Sequence, residues 1–236
     1  MTRRRWIAEE FSGNHAALTG GHADHLVRVL RARVGQEFDI ATGSVVRQGR
    51  IVAIRNGRVE FELGEEVGAE TILNLTLLLA IFKFDRMEWA IEKCTELGVS
   101  RIVPVIAQRT DSHLATASAK RVERWRRIAL QASEQSRRTA PPEIADPIKL
   151  QDVTNQSGSC VRIVLAESEQ QTFLREVVVR SAEGISLAVG PEGGWTEDEL
   201  QLFRNAGWVA ASLGTTILRA ETAAIAATAI VVSELG

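Results

Sequence analysis

A regular alternation of strands and helices begins at Leu73 and constrains the fold of this chain more than any other feature. Leu75–Phe82 is an unbroken apolar run, typical of a strand covered on both faces, and Arg101–Ile106 is the next predicted strand. The intervening helix has an apolar stripe from Met87 to Leu97 and ends at Gly98. The pattern predicts a β-α-β unit, and therefore an α/β fold with a mostly parallel sheet.

The same alternation continues through the rest of the chain. Asp85 with Glu88, and Thr196 with Glu199, have the spacing of helix capping boxes, and Trp195 and Leu200 occupy hydrophobic staple positions around the second box. Further strands are predicted at 161–166, 185–189 and 209–213, and further helices near 119–136, 172–181, 197–206 and 221–235.

The first seventy residues follow a different pattern. A short helix at 23–30 precedes alternating apolar runs between Phe38 and Leu63, interrupted by glycines. Such alternation predicts a small antiparallel sheet or barrel. The acidic stretch Gly64–Glu70 is the expected linker, which gives two domains, at 1–70 and 73–236.

Composition narrows the class of protein. Apolar residues make up 45% and charged residues 25% of the chain, the balance of a globular protein rather than a disordered one. We expect no secretion signal and no membrane span, since no apolar run approaches the roughly 20 residues a spanning helix needs. The two cysteines are expected to be buried small groups, and the four histidines to be surface or capping residues with no metal role.

Charge gives only a local nucleic-acid signal. The net charge is -2, so a strongly basic surface is not predicted for the whole chain. Lys120–Arg138 nevertheless contains seven basic residues and two acidic ones. By itself this stretch is more typical of a solvated helix face.

A glycine-rich loop follows the strand that ends at Val189. Gly190–Gly194 reads GPEGG and lies where open α/β sheets bind ligands. A plain tight turn is the simplest alternative. A phosphate-binding loop needs Lys and then Ser or Thr after its last glycine, but Trp195 stands there. A dinucleotide site needs an acidic residue about 20 residues further on, but the next strand leads into Gly214.

A second loop, Gly214–Arg219, leads directly into the last predicted helix. Two backbone-rich loops at the ends of two strands can enclose one flat ligand between them, and backbone groups can read an adenine edge without side chains. Together the two loops predict a nucleotide-like cofactor site.

These motifs resemble the ribosomal RNA small-subunit methyltransferase E family of the knotted methyltransferase superfamily. The resemblance lies in LAVGPEGGW at 187–195 and SLGTTILRAETA at 212–223, and continues in HLVRVLRARVGQEF at 25–38, EKCTELGVSRIVPV at 92–105 and QASEQSRRTAPPEI at 131–144. It extends from about residue 22 to the C-terminus. One departure is Arg137, where the family often has Gly.

The resemblance implies a trefoil-knotted α/β domain, an N-terminal PUA-like β-barrel, a homodimer and a cytoplasmic enzyme. It implies that S-adenosylmethionine is the cofactor and that N3 of a uridine in small-subunit (16S) ribosomal RNA is methylated. The implied cofactor contacts are Leu165, Ala166, Val189, Gly190, Glu192, Gly193, Gly194, Leu213, Gly214, Ile217, Leu218, Thr222 and Ala223. The implied RNA contacts are Arg3, Arg4, Arg28, Arg31, Arg126, Arg127, Arg137 and Arg138.

Two residues are candidates for the chemistry. Arg219 ends the second loop and can stabilise negative charge on a uracil carbonyl; an ion pair with Glu192 or Glu221 is an equal alternative. Glu221 can accept the proton, although a carboxylate in the first turn of a helix more often complements the helix dipole. A non-catalytic RNA-binding module and a nicotinamide-dependent oxidoreductase remain as alternative functions.

Overall fold

The computed structural model describes residues 5–43, 45–69, 73–153, 160–178 and 184–235. The chain divides into two compact units. The first comprises Met1–Ile72 together with Ser133–Ala140, and the second comprises Leu73–Ala132 and Pro141–Gly236. The inclusion of the segment at 133–140 in the first unit is not predicted by the sequence pattern.

The elements alternate as follows along the described chain. The strands are β1 (Arg5–Ile7), β2 (Glu10–Ser12), β3 (His15–Leu18), β4 (Glu37–Thr42), β5 (Val45–Arg55), β6 (Arg58–Ala69), β7 (Leu75–Ala80), β8 (Arg101–Ile106), β9 (Glu143–Ile144), β10 (Ile148–Lys149), β11 (Val161–Leu165), β12 (Ile185–Val189) and β13 (Val209–Ala211). The helices are α1 (Gly20–Asp24), α2 (Phe84–Glu96), α3 (Ser112–Ser118), α4 (Val122–Gln135), α5 (Leu150–Val153), α6 (Leu174–Val177), α7 (Glu197–Asn205) and α8 (Ala220–Leu235).

The first unit is built on one mixed sheet in the order β1-β4-β5-β6-β3-β2. Strand β1 pairs with β4 in parallel, and the other neighbours are antiparallel. One core cluster, which includes Trp6, Leu26, Ile40 and Phe61, fills this unit. The predicted antiparallel sheet is therefore present with one parallel edge, and the PUA-like barrel stays a prediction.

The predicted linker at 64–70 is wrong for its described residues. Strand β6 continues to Ala69 because β5 accompanies it, with Val46 opposite Gly68 and Val45 opposite Ala69. Register shifts along β5 and β6 allow this long pairing to follow the curvature of the sheet. Acidic side chains here lie on a strand rather than in a connection, while Glu70 lies outside the described residues.

An ion-pair bridge links the 133–140 segment to the rest of the first unit. The His22 ring pairs through Nδ1 with Glu9 and through Nε2 with Glu134, the latter at 3.0 Å. The hydrogen bonds to Glu134 and Glu9 raise the pKa of His22 to about 10, so the imidazole is a cation at neutral pH. The expectation of a surface or capping histidine is wrong at this position.

Arg137 lies in the same segment and has a φ of 62°. This left-handed conformation favours glycine, which explains physically why glycine suits the position. The Arg137 carbonyl accepts a hydrogen bond from the Arg5 guanidinium.

The second unit contains a parallel sheet in the order β10-β8-β7-β12-β11-β13, with β9 beside β8. The predicted β-α-β unit is confirmed, since β7 and β8 pair in parallel and α2 lies between them in sequence. Gly98 follows α2 with a φ of 106°, as the predicted helix stop requires. An α/β fold with a parallel sheet is thus confirmed for this unit, and the knot stays a prediction.

Helices cover both faces of this sheet. Helices α2 and α8 contribute Met87, Ile91, Ala224 and Val231 to one core cluster with β7 and β12. Helix α7 contributes Leu200 and Phe203 to a second cluster on the other strand faces. Their position leaves the carboxyl edge of the sheet open for a ligand.

Several predicted local features differ in the structure. The capping box of Asp85 and Glu88 is wrong: α2 begins at Phe84, and Glu88 instead binds Arg124 through two hydrogen bonds of 2.6 and 2.7 Å. Cys94 is buried, which raises its thiol pKa to about 12, whereas Cys160 is only partly buried.

Some element bounds also shift. The 23–30 helix begins earlier, as α1, and continues as a π-helical turn at His25–Val29, while the 119–136 helix is reduced to α4 after a separate α3. The helix predicted at 172–181 is described only at Leu174–Val177, and 179–181 lie outside the described residues. No helix within the described ranges is both long and apolar enough to cross a membrane.

Candidate functional site

A cavity of about 430 Å³ opens at the carboxyl ends of β11, β12 and β13. These strands are adjacent in the sheet, with β11 in the middle, so the three loops that follow them meet at one edge. The lining consists of Arg109, Leu165–Ser168, Val189–Trp195, Glu197, Leu200, Ala211–Leu218, Ala220 and Ala223. Three loops, rather than the two predicted, form the site.

The first predicted loop, Gly190–Gly194, follows β12, and the structure shows why two of its positions are glycine. A Cβ on Gly190 would lie 3.2 Å from Nε1 of the buried Trp195 indole, closer than side chains normally approach. Gly194 has a φ of 69°, which any larger residue adopts only with strain. The glycines therefore let the loop fold back on its own tryptophan as well as leave space for a ligand.

Arg109 fixes the same loop from the β8–α3 connection. Its Nη1 donates to the Gly193 carbonyl at 2.5 Å and more weakly to the Trp195 carbonyl at 3.5 Å. Arg109 is not among the site residues predicted from the sequence, although its position just beyond the carboxyl end of a parallel strand is a usable signal.

Helix α7 anchors the far end of the loop through the predicted Thr196–Glu199 capping box, which is confirmed. Glu199 is buried, and its carboxylate accepts hydrogen bonds from the backbone N–H of Thr196 at 2.8 Å and of Gln108 at 2.7 Å. Trp195 and Leu200 both lie in the core cluster under this helix, as the staple positions predict. One buried carboxylate thus joins α7 to the loop that carries Arg109.

The third loop follows β11 and adds an acidic group to the cavity. Glu167 and Ser168 line the wall, and neither was selected from the sequence. The loop is closed by Glu169, whose carboxylate accepts hydrogen bonds from the N–H groups of Gln171 and Thr172 at 2.8 and 3.0 Å. These bonds lower the pKa of Glu169, so the loop keeps its carboxylate ionised.

The second predicted loop lies between β13 and α8. Ser212 Oγ accepts from the Gly214 N–H at 3.1 Å and sets the turn, and Gly214 has a φ of 135°. Leu218 and Ala220 line the cavity on either side of Arg219 in sequence. Arg219 itself is exposed and is not part of the lining, and among the described residues its guanidinium forms no ion pair.

The ion pair that was the equal alternative for Arg219 is formed by Arg86 instead. Arg86 Nη1 donates to Glu192 Oε1 at 2.6 Å, and its Nε lies 3.8 Å from Glu221 Oε1. Arg86 is not among the site residues predicted from the sequence. A cation in the first turn of a helix opposes the helix dipole, so its presence at the start of α2 is a signal for nearby carboxylates.

The structure brings the predicted cofactor residues together. All of them line the cavity except Thr222, which is exposed on α8. Neither candidate for the chemistry lines the cavity: Arg219 is exposed between the lining residues Leu218 and Ala220, and Glu221 is 3% exposed and lies beside Arg86. The location of Glu221 favours its structural interpretation.

The predicted RNA residues are placed less uniformly. Arg28, Arg31, Arg127 and Arg137 are exposed, whereas Arg138 is buried and not available on a surface. Arg126 is exposed but bound to the Ile144 carbonyl, Glu123 and Asp146. Arg3 and Arg4 lie outside the described residues. No group of three or more potential metal ligands occurs in the described part of the chain.

Comparison with known proteins agrees with this geometry. The family model for an RNA methyltransferase domain matches residues 69–232. A ribosomal RNA small subunit methyltransferase E from Rickettsia conorii is 34% identical over 90% of this chain and 87% of its own. One solved structure, the same enzyme from Neisseria gonorrhoeae bound to S-adenosyl methionine, is 32% identical, covers 97% of this chain and 96% of its own, and has a TM-score of 0.83.

A second solved structure, from Legionella pneumophila with bound cofactor SAM, is 26% identical over 98% of this chain and 97% of its own, with a TM-score of 0.84. A parallel α/β sheet with a loop-lined cavity at its carboxyl edge and a match to this family model defines an RNA methyltransferase. More narrowly, the chain belongs to the ribosomal RNA small subunit methyltransferase E family.

Proposed function

We propose that this chain transfers a methyl group from S-adenosylmethionine to N3 of a uridine in small-subunit (16S) ribosomal RNA. The observation that carries the proposal is the cavity enclosed by the loops after β11, β12 and β13 in a chain of this family. Its volume of about 430 Å³ lies in the range of small-molecule sites.

The residues present suit the cofactor. Backbone N–H and C=O groups of the loops around Gly190 and Gly214 supply donors and acceptors for an adenine edge. Glu167 and Glu192 line the cavity, and their carboxylates would offer negative charge to a donor that carries a sulfonium and an ammonium group. S-adenosylmethionine supplies an electrophilic methyl group, so the protein mainly aligns this methyl with the acceptor nitrogen.

Arg219 is proposed to act on the acceptor. When the proton leaves uridine N3, negative charge spreads to the flanking carbonyl oxygens, and a nearby cation stabilises it. Arg219 is exposed, its sequence neighbours Leu218 and Ala220 line the cavity, and among the described residues its guanidinium forms no ion pair. Arginine stays protonated, so Arg219 serves as a donor and not as the base.

RNA binding is proposed to involve residues of both units. The domain at 1–70 is proposed to be a PUA-like barrel that presents Arg28 and Arg31, and the domain at 73–236 presents Arg127; all three side chains are exposed. A trefoil knot, a cytoplasmic location and a homodimer complete the proposal.

Nucleoside mass spectrometry of ribosomal RNA from cells with and without the gene tests the reaction. We expect one 3-methyluridine in small-subunit RNA to disappear with the gene and to return with the wild-type gene. Unchanged 3-methyluridine in the deletion strain would rule out the proposed product.

A further inference from the structure

One guanidinium ties together the ends of two cofactor loops. Arg86, in the first turn of α2, donates to Glu192 on the Gly190–Gly194 loop at 2.6 Å. Its Nε also lies 3.8 Å from Glu221, the second residue of α8, which directly follows the other loop. The side chain of Arg86 is 31% exposed, so this bridge is partly shielded from solvent.

The carboxylate of Glu221 is stable here only with a neighbouring cation. Its side chain is 4% exposed, and a buried carboxylate is costly unless it is paired. Its Oε2 has no hydrogen-bond partner among the described residues. Any second guanidinium that reached Glu221 would therefore be bound strongly.

Arg219 is the guanidinium that we consider for capture by Glu221. It lies two residues before Glu221, and its sequence neighbours Leu218 and Ala220 line the same cavity as Glu192. Arginine forms strong, often bidentate hydrogen bonds with carboxylates. Arg219 remains unpaired within the described structure while Arg86 occupies both carboxylates.

We infer that Arg86 is a positioning residue for methyl transfer, which holds Glu192 and Glu221 away from Arg219 and so keeps that guanidinium available to the substrate. The inference rests on the proposed function, because the positioning role of Arg86 applies only if Arg219 contacts the RNA. Arg86 also fixes the first loop against the start of α8. Arg86 does not line the cavity itself and reaches the cofactor site only through Glu192.

The central experiment compares Arg86→Gln with the double variant R86Q/R219A. In R86Q the released carboxylates bind Arg219, and we expect kcat at saturating donor and RNA to fall about tenfold, equivalent to roughly 1.4 kcal/mol. Because R86Q acts by withdrawing Arg219 from the substrate, the double variant should turn over almost as fast as Arg219→Ala alone. The single variant R219A completes the double-mutant cycle.

A merely structural role for Arg86 predicts a different result. The losses of kcat in R86Q and R219A would then multiply in the double variant, and kcat would follow the melting temperature across the series. Either this outcome or an unchanged kcat in R86Q would overturn the inference. If R86Q does not fold, Arg86→Lys carries the test, with a smaller loss of kcat that must again disappear in the R219A background.

Lys93→Gln is the matched control. Lys93 lies on the same helix, is similarly exposed at 34%, and also bridges two carboxylates, Glu92 at 2.7 Å and Glu96 at 2.8 Å. We expect it to change stability slightly and to leave kcat unchanged. Methyl transfer by the wild-type protein is measured first, so absence of any transfer refutes the proposed function, while transfer insensitive to Arg86 refutes only this inference.

Discussion

Replacement of the buried Glu199 by alanine probes the support beneath the cofactor loops. The carboxylate accepts from the backbone N–H groups of Gln108 and Thr196 at 2.7 and 2.8 Å and is 5% exposed. Alanine leaves both donors without this acceptor and opens a small void under α7. Because Gln108 is adjacent to Arg109, the loss also reaches the hydrogen bond that holds Gly193.

The expected loss of stability follows from these two bonds. A hydrogen bond to a charged group contributes about 1.5–3 kcal/mol, and Thr196 is only half-buried, so part of its loss is recovered by water. We therefore expect Glu199→Ala to lower the free energy of unfolding by about 3 kcal/mol. Through Arg109, we expect the affinity for S-adenosylmethionine to fall about fivefold.

Urea unfolding followed by tryptophan fluorescence measures the first quantity, and calorimetry with S-adenosylmethionine measures the second. Asp198→Ala is the matched control, since Asp198 is exposed in the first turn of the same helix and should cost less than about 1 kcal/mol. A loss in Glu199→Ala no larger than in this control would refute the assigned role of the carboxylate.

Three further predictions concern other groups. Arg219→Ala should lower kcat at saturating donor with little change in S-adenosylmethionine affinity, and an unchanged kcat would remove its catalytic role. The double variant Arg126→Glu/Arg127→Glu should weaken RNA binding and reduce its salt dependence. Because Arg126 also bonds the Ile144 carbonyl, Arg127→Glu alone is the cleaner variant, and it should change RNA affinity in the same direction. Unchanged RNA affinity in both variants would mean that this face is only solvated. Because the pKa of His22 is raised to about 10, its ion pairs stabilise the protein fully below about pH 6.5, and this stabilisation is lost as the pH rises through about 10. In His22→Gln the free energy of unfolding in urea should therefore vary less with pH over that window, by roughly 1–2 kcal/mol after solvent screening. An equally steep pH profile in the variant would contradict this role.

The periodic features of the second unit could be predicted from the sequence because each depends on neighbours in the chain. The apolar run at Leu75, the stop at Gly98 and the capping box at Thr196 are local signals, and the structure confirms them. The capping box at Asp85 has the same spacing but fails, because Glu88 gains two hydrogen bonds from the distant Arg124. A long-range ion pair thus overrides a local preference.

The site residues that the sequence did not predict also depend on contacts between distant parts of the chain. Arg86 and Arg109 bind loops that lie more than eighty positions away in the chain. No periodic pattern in the sequence predicts such hydrogen bonds. Likewise, β6 continues through an acidic, glycine-containing stretch because β5 supplies its hydrogen bonds. His22 becomes a cation because Glu9 and Glu134 converge on it from separate segments.

Transfer of a labelled methyl group by the purified protein tests the central claim most directly. The protein is incubated with methyl-labelled S-adenosylmethionine and small ribosomal subunits from cells that lack the gene, and the RNA nucleosides are then separated and identified. We predict label in 3-methyluridine of the small-subunit RNA, with turnover reduced in Arg219→Ala. Label in a different nucleoside, or no transfer by a protein that binds S-adenosylmethionine in the cavity, would contradict the proposed reaction.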